Sequence, residues 1–395
     1  MPANRLAPSV PRLNRRVVLK AASALGALIA AGGTLPRHAH ADGSAGTGAV
    51  EWRLADHPDA ADAAAYGAGV VVEPGQSFTA VGAFWNGGAS ADPTVSIQVS
   101  LDGDSFSDPY QLGAGGDEGR PTKGGRRFTG LLFTERAVAV RFTVTDANGE
   151  PLTLDGFGLT FIDAGDGPSP LDGVGSSGEG SGPPRVISRS EWGADESLRY
   201  GDDGEIWPPE YATVEHVIVH HTDTANGYSD PAAEIRAIYY YHAVTKGWGD
   251  IAYNYLVDRF GNVYEGRVGG QNVVGGHSYQ YQVGSSGIAL LGNFRFADIP
   301  DVAQAALVAI VAWVARGLDP YGASDFWERS SVPTICGHRD VQDDTDCPGQ
   351  VLYDDLATIR DYVSATFASA PSGYSTGVVT GDAVVVATDD GGPLR

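Results

Sequence analysis

The 395-residue chain has few cysteines, few lysines and few basic residues overall. It contains two cysteines, three lysines, and 26 lysines and arginines together, against 49 aspartates and glutamates. The formal net charge of −23 argues against a nucleic-acid partner, because phosphate binding needs clustered cations. Such an acidic chain is compatible with a salty environment, in which repulsion between like charges is screened. With two cysteines, the chain can form at most one intramolecular disulfide.

Two common zinc-enzyme signatures are also missing. The sequence has no HExxH motif, so the glutamate general base of the usual metalloproteases is absent. The H-x-E…P-C-x-x-C pattern of zinc deaminases is absent as well. A zinc site in this chain would therefore need a different set of ligands, and the sequence does not name a general base.

The chain has one apolar run that resembles part of an export signal, and no later candidate for a membrane span. NRRVVLK, at residues 14–20, resembles a twin-arginine motif, and it precedes AASALGALIAAGG and the small-x-small pattern Ala39-His40-Ala41. Residues 1–41 are therefore predicted to be a twin-arginine signal peptide; a retained membrane anchor is the alternative, but the apolar run is short for a bilayer. Without these residues, 20 basic and 49 acidic residues give a net charge of −29. We expect a secreted, extracytoplasmic protein with no stable membrane insertion after signal cleavage.

Hydrophobic periodicity divides the remaining chain into two predicted domains. Residues 50–163 alternate polar and apolar side chains without an intervening helical period, which predicts an all-β sandwich accessory domain. Residues 164–184, rich in glycine, serine and proline, are predicted to be a linker. From 185 to 370, strand and helix patterns alternate and predict an α/β domain with a mixed central sheet flanked by helices. The glycine-rich residues 371–395 are predicted to form a flexible tail.

Both cysteines lie in ICGHRDVQDDTDCPG, residues 335–349, close to His338. Two cysteines in an exported protein are compatible with a disulfide. A metal site is the alternative, because His220 and His221 end a predicted buried strand, and sites in α/β domains form at the carboxyl ends of strands. Two neutral imidazoles and one thiolate would hold a tetrahedral zinc with an open fourth position. Spacing alone leaves both interpretations open.

Five motifs in order along residues 185–365 resemble the peptidoglycan-recognition-protein family of zinc amidases, which cleave N-acetylmuramoyl-L-alanine bonds. The motifs are VISRSEWGA, VIVHHT, GWGDIAYNYLVDRFGNVYEGR, VVGGHSYQYQVGSSGIALLGNF and GHRD…TDCPG. The resemblance implies Zn²⁺ as the cofactor, with His220, His338 and Cys347 as its ligands. It leaves Cys336 unpaired, as a small buried apolar side chain. Zinc with one thiolate would lower the pKa of a bound water to about 7.

The resemblance also implies roles for residues around this metal. Tyr253 matches the family's active-site tyrosine, and a phenol can donate a hydrogen bond to an oxyanion. Thr345 places the chain with the family members that have a threonine, rather than a lysine, two residues before the cysteine ligand. His277 resembles a histidine that lines the substrate groove, and Trp248 is a further candidate for that groove. His221, also a candidate for the surroundings of the site, is expected to face away from the metal, because successive strand residues point to opposite faces.

Two departures from the family pattern accompany the resemblance. The loop from His338 to Cys347 is one residue longer than usual, and Gln282 stands where the family often has asparagine, which bears on recognition of the peptide stem. The loop is acidic, and Asp340 is a candidate to hold Arg339 or to orient a ligand histidine.

The sequence thus predicts an exported zinc-dependent N-acetylmuramoyl-L-alanine amidase, which hydrolyses the lactyl–L-alanine amide of peptidoglycan through a zinc-activated water. One alternative is a recognition protein that binds muropeptide without cleaving it; another is a zinc hydrolase of a different wall-polymer amide. Cys347 favours an enzyme, since non-catalytic members of the family usually lack the cysteine ligand. The β-sandwich is expected either to contact wall polymer or sugar, or to serve as a spacer.

Overall fold

The computed structural model describes residues 47–57, 60, 69–87, 93–112, 125–169 and 184–369, together with the backbone of residues 19–20. The predicted tail, nearly all of the predicted signal peptide, and residues 170–183 of the predicted linker lie outside these described residues. The described chain divides into two units of dense internal contact. The first contains the residues up to 169, Ser188–Pro208 and Thr222–Ala252; the second contains residues 184–187, Pro209–His221 and residues 253–369.

Twenty strands and three α-helices make up most of the regular structure of the described residues. The first ten strands are β1 (Leu19–Lys20), β2 (Gly48–Arg53), β3 (Val70–Glu73), β4 (Phe78–Asn86), β5 (Thr94–Ser100), β6 (Tyr110–Leu112), β7 (Arg126–Phe128), β8 (Leu132–Ala137), β9 (Ala139–Thr145) and β10 (Gly158–Asp163). The others are β11 (Val186–Ile187), β12 (Tyr200–Gly201), β13 (Gly204–Glu205), β14 (His216–His221), β15 (Tyr255–Val257), β16 (Val263–Glu265), β17 (Ser285–Leu290), β18 (Ala323–Phe326), β19 (Arg329–Pro333) and β20 (Ile335–Gly337). The helices are α1 (Pro231–Tyr240), α2 (Asp301–Val314) and α3 (Gln350–Ser369).

Two β-sheets form most of the first unit. One has the strand order β1-β3-β9-β5-β6, and the other has the order β2-β10-β4-β7, with β8 paired to β4. Apolar side chains from both sheets, including Phe78, Ile97 and Phe142, share one buried core. This arrangement follows from the alternation of apolar and polar residues, which gives each strand one buried face. The predicted all-β sandwich is confirmed.

The first unit also contains α1, whose start is set by two residues. The Asp230 side chain accepts a hydrogen bond from the Ala233 N–H at 3.1 Å, which satisfies one of the free donors at the helix start. Pro231 occupies the first helical position, where no N–H is needed. A single π-helical turn, Tyr241–Thr245, continues the helix.

Two buried polar side chains join this helical segment to the sandwich. The Arg236 guanidinium donates to the Ala164 carbonyl at 3.0 Å, and the Tyr241 hydroxyl donates to the Thr129 carbonyl at 2.9 Å. A Cβ at Gly82 would lie 2.9 Å from the Tyr241 hydroxyl oxygen, so only glycine at this position leaves room for the phenol. The sandwich and α1 are therefore packed together within one unit.

A six-stranded mixed sheet is the centre of the second unit. Its order is β11-β16-β15-β17-β14-β20. The β15–β16 pair is antiparallel and the other four pairs are parallel. Helices α2 and α3 share a buried apolar core with one face of the sheet; this core includes Val217, Val219, Leu307, Ile310 and Leu356. The predicted α/β class, with a mixed sheet and helices, is confirmed.

The direction of the β14 side chains decides which of its histidines can meet other loops. Val217 and Val219 point into the helix-covered core. Because strand side chains alternate, His220 lies on the opposite face and His221 on the same face as the valines. None of the described helices has the length and hydropathy needed to cross a bilayer.

Candidate metal centre

Two neighbouring strands bring His220 and His338 to the same edge of the sheet. His220 is the penultimate residue of β14, and His338 is the first residue after β20. These strands are adjacent and parallel, with Val219 opposite Gly337. The next residue along each strand is therefore a histidine at the same level, and the two imidazole centroids are 4.6 Å apart.

Cys347 reaches the two histidines through the loop that follows β20. Its Sγ lies 3.6 Å from Nδ1 of His220, and one donor atom from each of the three residues lies within 4.8 Å of the other two. Zinc–sulfur and zinc–nitrogen bonds of about 2.3 Å and 2.0–2.1 Å in a tetrahedral site place the two donors about 3.5 Å apart. The observed sulfur–nitrogen distance fits that value. All three side chains are buried.

The second cysteine, Cys336, does not form a disulfide with Cys347. Cys336 lies on β20, opposite Ile218, in a small buried apolar cluster. Neither cysteine forms a disulfide. The disulfide, one of the two interpretations that the sequence leaves open, is therefore not formed, and Cys347 lies instead beside His220 and His338.

A hydrogen bond determines which nitrogen of His338 faces the other donors. Its Nε2 lies 2.6 Å from Oε1 of Gln342, an oxygen that also accepts from the Ser278 hydroxyl at 3.0 Å. An amide oxygen can only accept, so the imidazole proton is on Nε2 and Nδ1 carries a lone pair. This Nδ1 is buried and has no hydrogen-bond partner among the described residues. A bound metal is the usual partner of an imidazole nitrogen whose other nitrogen is held in this way.

His220 is held by a similar chain of hydrogen bonds. Its Nε2 lies 3.0 Å from Nδ1 of His277, and Nε2 of His277 lies 3.4 Å from the Ser285 hydroxyl, which donates to the Tyr281 carbonyl. Every group in the chain is satisfied when His220 carries its proton on Nε2, and this again leaves Nδ1 for a metal. A Cβ at Gly287 would lie 2.1 Å from the His277 ring, so the absence of a side chain on β17 makes room for that imidazole.

Burial keeps these histidines neutral. The pKa of His220 lies well below its ordinary value, chiefly because burial penalises the charged imidazolium. Burial also lowers the pKa of His338 to about 4 and that of His277 to about 3. Neutral imidazole is the form that binds metal. No carboxylate belongs to the donor cluster in the described chain, so Zn²⁺ with one thiolate would keep a net charge of +1.

His221 contributes its backbone to the site and turns its ring away from it. Its N–H donates to Sγ of Cys347 at 3.4 Å, a contact that favours the thiolate. Its Nδ1 accepts from the Phe294 N–H at 3.2 Å, and burial lowers the pKa of the imidazole to about 3. The ring therefore packs on the helix-covered side of the sheet, in agreement with the expected alternation along β14.

Two predicted catalytic side chains lie next to the donors. Tyr253 is 2% exposed, and its ring centroid is 5.5 Å from that of His220. Thr345 accepts a hydrogen bond from the Cys347 N–H at 3.1 Å through its hydroxyl oxygen, and the hydroxyl proton can still be donated. The structure thus brings the Tyr253 ring and the Thr345 hydroxyl next to residues of the candidate metal centre.

Trp248, a predicted groove residue, belongs to the first unit. Its ring centroid is 5.0 Å from that of His242, and Nζ of Lys246 lies 4.5 Å from the indole centroid. His242 accepts from the Ala252 N–H at 3.2 Å, and burial lowers its pKa well below the ordinary value. Within their unit, these side chains form a packed cluster.

Sequence reasoning missed the residues that hold the ligand histidines. Gln342 and Ser278 support His338; Gln342 stands four residues after this ligand, a spacing that one helical turn brings together and that could have been noticed. Asp340, which the sequence offers to hold Arg339 or to orient a ligand histidine, instead accepts from the Gly337 N–H at 2.8 Å and from the Tyr353 hydroxyl. The prediction for Asp340 is wrong, because the carboxylate closes the turn after β20.

The fold and the donor set define an α/β protein with a buried His₂Cys cluster, suited to hold a metal, at the carboxyl ends of its central parallel strands. A family model described as N-acetylmuramoyl-L-alanine amidase matches residues 210–350. Peptidoglycan-recognition protein SC1a/b of Drosophila simulans is 32% identical over 177 residues, which are 43% of this chain and 83% of the relative. The N-acetylmuramoyl-L-alanine amidase of Homo sapiens is 35% identical over 144 residues, which are 35% of this chain and 23% of the relative.

A solved structure, wild-type PGRP-LB of Drosophila, has a TM-score of 0.35 and 29% identity, covering 44% of this chain and 93% of that chain. The sequence matches are decisive, and this chain belongs to the family of peptidoglycan-recognition proteins and N-acetylmuramoyl-L-alanine amidases. Some members of this family are catalytic amidases and others bind without catalysis.

Proposed function

We propose that this protein is an exported, zinc-dependent N-acetylmuramoyl-L-alanine amidase that hydrolyses the lactyl–L-alanine amide of peptidoglycan. The observation that carries the proposal is the buried donor set of His220, His338 and Cys347 in a member of this family. Protein hydrogen bonds leave one lone pair on each imidazole directed at the same small region. A protein that only binds muropeptide has no need of such a set, so the geometry favours the enzyme over the recognition protein.

Zn²⁺ held by these three residues would supply a Lewis acid, which polarises an amide carbonyl and lowers the pKa of a water to about 7. The remaining tasks fall to the protein. His277 and Gln342 keep the ligand imidazoles in the required tautomer. The N–H of His221 supports negative charge on the cysteine sulfur, and burial of the cluster strengthens each of these interactions.

Two hydroxyl groups are proposed to stabilise negative charge that develops on the amide oxygen. Tyr253 and Thr345 both lie beside metal-site residues, and each can donate a proton in a hydrogen bond. Such donors are effective when they are already aimed at the place where charge appears. The removal of one donor of this kind typically lowers the rate by about 10²–10³-fold.

The proposal extends to the other parts of the chain. Residues 1–41 are proposed to direct twin-arginine export, which would bring the enzyme to its wall substrate. The β-sandwich is proposed to contact wall polymer or sugar, and Trp248 remains a proposed groove residue. His277 and His221, which the sequence also places among the substrate-side candidates, are proposed to act mainly through the ligands that they touch.

The test is digestion of purified peptidoglycan by the full-length protein, with and without a chelator. New L-alanine amino ends should appear, stop with chelation and return when zinc is added. Cys347→Ser should abolish release, while Cys336→Ala, which changes the other buried thiol, should not. Tight muropeptide binding without any release would support the recognition protein, and release at a different amide would support the other hydrolase.

A further inference from the structure

Trp327 stands at a turn position where glycine would be the ordinary residue. Phe326 pairs with Arg329 across the β18–β19 hairpin, so Trp327 and Glu328 form a two-residue turn. Trp327 has a φ of +54°, a left-handed conformation that glycine adopts freely and a bulky residue does not. Its side chain is nevertheless 61% exposed. Neither backbone preference nor core packing therefore accounts for a tryptophan here.

The exposed indole is held in one orientation. Its Nε1–H donates to the Val283 carbonyl at 3.1 Å. The preceding residue, Phe326, is buried and packs against Tyr281, with 6.0 Å between ring centroids. Trp327 thus presents a large flat face from an anchored turn, with its polar atom already satisfied. A rigid aromatic group loses little conformational entropy when a ligand stacks on it.

The hairpin is hydrogen-bonded to the segment that follows His277, which contacts a candidate ligand, and to the segment that follows the candidate ligand His338. Val283, the partner of the indole, lies six residues after His277. On the other side, Nε of Arg329 donates to the Val341 carbonyl at 3.0 Å, three residues after the ligand His338. One hydrogen bond from the indole and one from Arg329 therefore tie the hairpin to the loops that follow His277 and His338.

The charges around the indole indicate the class of ligand. Asp325 and Glu328 of the hairpin and Asp344 of the adjoining loop are negatively charged, while Asp343 of that loop is paired with Arg329 of the hairpin at 2.7 Å. Such a surface repels carboxylates, phosphates, anionic lipid and a second copy of this acidic chain. An uncharged sugar ring meets no such repulsion, and its C–H face can pack on an aromatic ring.

We propose that Trp327 is a stacking platform for an uncharged sugar ring of the peptidoglycan glycan chain, next to the metal centre. This inference rests on the proposed function, since it takes the glycan to be part of the substrate. In intact peptidoglycan the lactyl carboxyl group is in amide linkage, so the sugar chain itself is neutral. The platform would hold the polymer while the amide is presented to the metal.

The experiment measures binding of a β-1,4-linked N-acetylglucosamine tetramer to zinc-loaded, full-length protein by calorimetry. Trp327→Gly should fold normally, because glycine suits the left-handed turn, and its affinity for the tetramer should fall about tenfold or more, as for other central aromatic contacts. Trp327→Tyr should restore most of the affinity. Tyr362→Ala, which removes another aromatic residue that is 53% exposed, is the matched control and should bind like the parent.

Cleavage of muramyl dipeptide is measured in parallel in the parent and in Trp327→Gly, so that a failure of the proposed activity can be told apart from a failure of glycan binding. Equal tetramer affinity in these two proteins, or no tetramer binding by the parent, overturns the inference even if cleavage is normal. The inference is also overturned if the parent binds anionic vesicles but not the tetramer, and if Trp327→Gly loses the vesicle binding. If tetramer binding depends on Trp327 but no variant cleaves, the glycan platform stands and the amidase proposal fails.

Discussion

Glu234 is a buried carboxyl group that should make the protein less stable as the pH rises. It lies in the first turn of α1, is 6% exposed, and its Oε2 has no hydrogen-bond partner among the described residues. Burial, helped by the nearby Asp230 carboxylate, raises its pKa from 4.5 to about 8. At neutral pH the folded protein therefore keeps this carboxyl protonated, whereas the unfolded chain ionises it.

The sign and size of the effect follow from proton binding. Between pH 4.5 and about pH 8 the unfolded state binds fewer protons at this residue than the folded state, so the free energy of unfolding falls as pH rises. The loss of unfolding free energy caused by Glu234 is small below pH 4.5. It grows by about 1.4 kcal/mol per pH unit up to about pH 8 and levels off at higher pH. It amounts to about 1 kcal/mol at pH 5, about 3 kcal/mol at pH 7 and about 4 kcal/mol at pH 8.

The perturbation is Glu234→Gln, which keeps the shape of the side chain and cannot ionise. Urea unfolding of parent and variant at pH 5, 7 and 8 should give a stability difference that shifts in favour of the variant by about 3 kcal/mol over this range. Glu135→Gln, which removes an exposed carboxyl in the same unit, is the matched control. A difference between Glu234→Gln and the parent that stays constant, or that moves the other way with pH, refutes the reasoning.

Three further predictions concern the metal centre. Cys347→Ser should lower zinc content at least tenfold in elemental analysis after dialysis, while Cys336→Ala keeps it; equal zinc in both variants would show that residue 347 is not a ligand. Tyr253→Phe should keep its zinc while kcat on muramyl dipeptide falls about 10²–10³-fold, and full turnover would remove this hydroxyl from the mechanism. Gln342→Leu should weaken zinc binding about 10–100-fold in competition with a chelator, and Gln342→Glu, which keeps an acceptor for His338, should recover most of it. Unchanged affinity in the leucine variant would contradict the role assigned to Gln342.

The fold class could be predicted from the sequence because it depends on local periodicity. In β5, alternating residues such as Val95 and Ile97 identify the buried face before any partner strand is known. In the α/β part, the same alternation on β14 indicates that His220 and His221 face opposite sides of the sheet. These are properties of a few consecutive residues, and tertiary contacts did not override them.

The supporting residues of the metal centre could not be predicted in the same way. Ser278 and Gln342 are 64 residues apart and meet only in the folded sheet. His277 was expected in the substrate groove, but the sequence does not say that Gly287 opens a recess for its ring on β17. The acidic run drew attention to Asp340, whereas the uncharged Gln342 holds the ligand. Charge in a loop is therefore a poor guide to which side chain reaches a buried imidazole.

The position of β14 has a consequence for the protein without its metal. This strand is paired along its length with β17 and also with β20, so its amides should exchange with deuterated solvent only when the middle of the sheet opens. Removal of the ion would then leave the scaffold closed and the donors near their final spacing. Under the proposed function, the zinc-free protein would be an intact but inactive form that zinc alone restores.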